Sequence, residues 1–122
     1  MSQIFQAATW LLCIAFLSGL FLAGIRFATD RPSPPWVAKI HGFSVVGAIS
    51  LLIFAWVKFT LPSIGVYGVL ILFVAAIGGL VLNLRYHWNQ KPLPEWLVFV
   101  HMTLGFMGLI LIALLTLGSS TL

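Results

Sequence analysis

The sequence predicts an all-α protein: a four-transmembrane-helix bundle built from two parallel helical-hairpin repeats. Three observations predict it. Hydrophobic residues make up 61% of the 122 residues and charged residues only 7%, where an ordinary soluble domain carries about 25% charge. Four apolar stretches are each long enough to cross a bilayer. The pattern Pro-x-Pro-x-Trp-x-x-x-x-His is written twice, as PSPPWVAKIH at 32–41 and as PLPEWLVFVH at 92–101. A soluble fold of this length has too little interior to hide so much apolar surface. Lipid is the expected solvent.

The spans fall at about 4–25, 36–57, 64–84 and 96–117, in one integral membrane domain covering 1–122. The first resembles a secretory leader in position, but MSQIFQ has no basic n-region and the apolar run outlasts an ordinary h-region. It is therefore expected to remain as a helix. The breaks are TDRPSPP, FTLPS and YHWNQKPLPE. Their prolines suit the first turn of a following helix and do not suit a helix interior. Cys13, the single cysteine, lies within the first span and rules out a disulfide framework within the chain.

Arg26, Arg31 and Lys39 flank the first loop and Arg85 and Lys91 the third, with only Lys58 at the opposite end. The positive-inside rule then makes loops 1 and 3 cytoplasmic and both termini external, in a bacterial-type inner membrane. Trp36, Trp88 and Trp96 fall at the cytoplasmic headgroup level, with Trp10 and Trp56 toward the other face. The net charge of +4 comes from these scattered helix ends. It forms no phosphate-tracking patch, so a nucleic-acid partner is not expected.

The two quoted stretches stand sixty residues apart, and over 32–47 against 92–107 four positions are identical: Pro32/Pro92, Pro34/Pro94, Trp36/Trp96 and His41/His101. Upstream, SGLFLAGIRF matches GGLVLNLRYH with one residue dropped, pairing Arg26 with Arg85. The expected repeats are 1–60 and 61–122, each of two spans, so both have the same orientation. His41 and His101 then end at one depth, about 7–8 Å beyond their tryptophans. Proline and tryptophan matches follow from starting and anchoring a helix. The histidine match does not.

Ionisable groups inside a span are costly and usually face the bundle interior. On the same face, Ser44 and Ala48 follow His41, and Gly105 and Gly108 follow His101. Small residues there either leave room for a flat ligand or allow close helix packing. Gly19 with Ala23 and Ala75 with Gly79 read as close packing alone, with no histidine beside them. If the room is real, haem b is the candidate, with His41 and His101 as axial ligands and Arg26, Arg31, Arg85 and Lys91 facing its propionates. His87, between Tyr86 and Trp88, reads as an interfacial residue. Its alternative is third ligand with His41 and His101 in a copper, zinc or iron site. Asn83 and Ser50 are expected to make interhelical hydrogen bonds.

On His41 and His101 the pattern resembles the membrane cytochromes b, four-helix bundles that clamp haem between histidines. The familiar members hold two haems on four histidines. Three histidines here, none near the outer face, imply a single haem. The function expected is a small membrane b-type cytochrome or haem-carrying subunit, passing electrons between a quinone or redox complex and a membrane partner. The alternatives are a cofactor-free structural or assembly subunit, alone or in an oligomer, a histidine metal site, and a small transporter. Against transport, no Asp or Glu lies inside a span. No nucleophile–base pair or phosphate loop is present, so autonomous catalysis is not expected.

Overall fold

The computed structural model describes residues 1–120 and is helical throughout its length apart from three short connections. The helices are α1 (Ser2–Thr29), α2 (Pro35–Lys58), α3 (Ser63–Val81) and α4 (Glu95–Ser120), with a π-helical segment (Leu82–His87) continuing α3. All four are long and apolar enough to cross a membrane. They overrun the apolar stretches by a few residues, because the helical backbone continues into the polar boundary once the hydrocarbon is crossed.

Each boundary has a local cause. α1 stops at Asp30, whose left-handed backbone (φ 53°) turns its N–H onto the Arg26 carbonyl, and Pro32 follows. α2 begins with Pro35 in its first turn, where a missing N–H costs nothing. It ends at Phe59 in extended conformation, three residues before Pro62. α3 does not end cleanly where its apolar run stops. Trp88 N–H reaches the Asn83 carbonyl (2.7 Å) and Lys91 N–H the Tyr86 carbonyl (2.8 Å), five residues back in each case. This wider turn ends at Gln90, again left-handed at φ 54°.

α1 packs along α2 and α4, and α3 along α4, while α2 and α3 meet lightly. With short connections the helices run up, down, up, down, so α2 and α4 lie on a diagonal. The core holds Phe5, Ala8 and Leu12 from α1, Leu52 from α2, Leu72 from α3 and Ile112 from α4. Burial recurs at a spacing of sixty: Phe5 and Gly65, Leu12 and Leu72, Ala15 and Ala75, Ala48 and Gly108, Leu52 and Ile112 are all buried.

Polar ties fasten both ends. Near the termini, the hydroxyls of Thr9 and Thr116 lie 2.8 Å apart, and Thr116 also donates to the Phe5 and Ile112 carbonyls. At the other end, Arg26 Nη2 donates to the Lys91 carbonyl (2.7 Å), joining the last turn of α1 to loop 3. Buried Ser33 donates to the Leu22 carbonyl and folds loop 1 back onto α1. Asn83 and Ser50, expected to bond between helices, instead lie exposed on the bundle's outside. The hydroxyl pair of Thr9 and Thr116 takes that role.

Candidate functional site

His41 stands on α2 and His101 on α4, each two turns into its helix, and both rings turn inward across the diagonal. Their centroids are 6.0 Å apart and their planes cross at 72°. Each ring is held from a neighbouring helix by the same two devices. His41 Nδ1 donates to the Ala15 carbonyl of α1 at 2.6 Å, and His101 Nδ1 donates to the Ala75 carbonyl of α3 at 2.7 Å. A carbonyl oxygen only accepts, so the Nδ1 atoms carry the protons. In the neutral ring, Nε2 is then left with a lone pair.

The second device is a glycine one turn along. A Cβ placed on Gly19 would stand 2.9 Å from His41 Cε1, and one on Gly79 would stand 2.9 Å from His101 Cε1. The imidazole edges occupy the space a side chain would take. Here the expectation from sequence is corrected: Gly19 and Gly79 do lie against histidines, and Ala15 and Ala75 are the residues whose carbonyls orient them. The signal was present. Extending the sixty-residue spacing back from the histidines pairs Ala15 with Ala75 and Gly19 with Gly79, the glycine pair lying at the start of the upstream match itself.

The small residues on the histidine faces divide. Gly108 leaves no room for a ligand, because a Cβ there would meet Leu72 at 2.5 Å, and Ala48 is fully buried in the packed core. Both are helix-packing residues, since the far side chain, not a void, fills the place of the missing one. Ser44 is buried. Gly105 has nothing within 4 Å of its Cβ position. One level deeper, Phe16 and Phe106 meet with centroids 5.3 Å apart.

Among the cations, Arg26 is half-buried and its guanidinium meets the Lys91 backbone at the loop 1–loop 3 seam. Arg31, Arg85 and the Lys91 side chain are exposed at that same end. His87 does not join the histidine pair. Among the described residues no three His, Cys, Asp or Glu side chains come together in a way that could hold a metal ion. His87 is the last residue of the π-helical segment that continues α3. Comparison with protein-family models, with curated proteins and with solved structures finds no match.

Proposed function

We propose that the chain is a small integral-membrane b-type cytochrome, or the haem-carrying subunit of a larger complex, in which His41 and His101 would hold one haem. The observation that supports it best is the imidazole pair 6.0 Å apart, each ring pinned through Nδ1. A metal between two imidazole nitrogens, at roughly 2 Å from each, needs ring centres roughly 6 Å apart. Metal-bound histidines almost always donate their other nitrogen to a carbonyl, carboxylate or water, which fixes ring orientation. Both histidines do so. The donor set thus fits a haem iron, which accepts two histidines from facing helices of a bundle.

Bound there, haem would supply one-electron redox chemistry. The chain's own residues do the rest. The Ala15 and Ala75 carbonyls hold the Nδ1 protons and so leave the Nε2 lone pairs for a metal, and Gly19 and Gly79 let the rings sit flush against α1 and α3. The core from Phe5 to Ile112 excludes water beneath them, which sharpens every electrostatic influence on the site. Arg26, with Arg31, Arg85 and Lys91 at the same end, offers cations to the propionates. By the positive-inside rule that end is cytoplasmic, so electrons would arrive there from a quinone or a redox partner. The recurrence of buried pairs, left-handed caps and histidine contacts at one spacing supports descent from a doubled hairpin.

A visible absorption spectrum of the detergent-purified protein, expressed with ample haem, tests this. A Soret band with sharp α and β bands on reduction is expected, lost in His41→Ala and again in His101→Ala. A folded but colourless protein would refute haem binding. It would leave the cofactor-free subunit, whose two histidines only brace helices through their carbonyl bonds.

A further inference from the structure

Along the seam of α1 and α4, at the loop 1 end, runs a groove of about 870 Å³. Its apolar walls include Leu20, Ala23, Phe27, Val98 and Met102, and its mouth carries Asp30 and Glu95. These are the only two acidic residues in the chain, and they come from opposite sides of the seam. Among the described residues neither carboxylate has an ion-pair partner, although most of the protein's cations lie at this end. Asp30 also borders a second crevice of about 360 Å³, lined by Arg26, Pro32, Gln90 and Pro92. Arg26 uses one nitrogen on the Lys91 carbonyl, leaving the other donors of its five-donor fork free.

The residues that form the groove are not repeated at the sixty-residue spacing. Gly24 opens it, with nothing within 4 Å of its Cβ position. Sixty residues on stands Leu84, and the places of Asp30 and Glu95 are taken by Gln90 and Pro35. The groove thus joins an apolar floor, a paired negative mouth and an adjacent guanidinium.

We infer that this groove holds a phospholipid with a phosphoethanolamine head. One acyl chain lies against Leu20, Ala23 and Met102, the ammonium donates to Asp30 and Glu95, and the phosphate faces Arg26. Charge complementarity decides the class. The ammonium of phosphoethanolamine has N–H donors for two carboxylates, the quaternary head of a choline lipid has none, and phosphoglycerol offers no cation. The basic residues at this end would alone select the anionic lipid, the opposite preference. This binding does not require haem, although Arg26 is also among the cations offered to the propionates.

The protein is reconstituted in vesicles of equal phosphatidylethanolamine, phosphatidylcholine and phosphatidylglycerol, and the lipid it retains in mild detergent is counted by native mass spectrometry. Phosphatidylethanolamine is expected to exceed phosphatidylglycerol about tenfold, in line with a charge-assisted hydrogen bond. Asp30→Asn combined with Glu95→Gln erases that preference. Gly24→Leu, which fills the groove and leaves both carboxylates in place, reduces retention of all three lipids. Equal or greater retention of phosphatidylglycerol by the wild-type protein overturns the assignment. So does an ethanolamine preference that survives the double substitution.

Discussion

The two ends of the bundle treat small residues in opposite ways. Toward the termini, Gly68 and Gly108 are filled by leucine and isoleucine from the facing helix: Leu72 sits over Gly108, and Ile112 sits over Gly68. The polar groups there, Thr9 and Thr116, satisfy each other and the Phe5 and Ile112 carbonyls. Toward loops 1 and 3, Gly19 and Gly79 are filled by imidazole edges. Each of those rings uses one nitrogen on a carbonyl and keeps another. A glycine on a transmembrane helix therefore says only that something comes close. What comes close decides whether the site is sealed or chemically open.

The sharpest way to break this contrast is to add one methyl group at each end. Gly19→Ala and Gly79→Ala place a Cβ against Cε1 of the histidines, so the rings must shift and the Nδ1 bonds weaken. If the proposed haem is bound, its affinity should fall about 10- to 100-fold, as for other residues that orient metal-bound histidines, and the reduced α band should move. Haem titration of the purified variants measures both, and unchanged affinity in both would remove these glycines from the site.

Gly108→Ala is the counterpart. Its Cβ would overlap the Leu72 side chain at 2.5 Å, and overpacking of this kind costs about 1–2 kcal/mol. Thermal unfolding should show the loss, while the spectrum of the proposed haem stays as in the wild-type protein. Gly105→Ala, with open space at its Cβ, is the control and should be close to neutral.

Thr116→Val tests the sealed end more gently. It removes the bond to Thr9 across α1 and α4, and such hydrogen bonds between membrane helices average about 0.6 kcal/mol. A small drop in unfolding temperature with unaltered absorption is expected. A changed spectrum would mean that the two ends are coupled. Smallest of all is Arg26→Gln, which loses the tie to the Lys91 carbonyl at an exposed seam. Stability should change by only about a few tenths of a kcal/mol. If haem is bound, its midpoint potential should fall, because a cation near the propionates is gone.

Much of this architecture was legible in the sequence because it is written in side chains. Hydropathy marked four spans, proline marked where α2, α3 and α4 begin, and a motif written twice brought His41 to His101. The π-helical segment was not legible, since Tyr86, His87 and Trp88 look like any interfacial break. The orienting groups were hidden for a different reason. Ala15 and Ala75 act through backbone carbonyls, which every residue possesses, so only the packing of α1 on α2 and α3 on α4 selects them. Gly108 misled in the other direction: a gap in the sequence of one helix was filled from Leu72 on another.

The crossing angle of the imidazoles offers the most direct test of the central proposal. Two rings whose planes cross at 72°, both bound to one ferric haem, should give the strongly anisotropic low-spin electron paramagnetic resonance signal of crossed imidazole ligands. That signal should vanish in either single His→Ala variant. A high-spin signal from the wild-type protein, or no haem signal after reconstitution, would contradict ligation by both histidines.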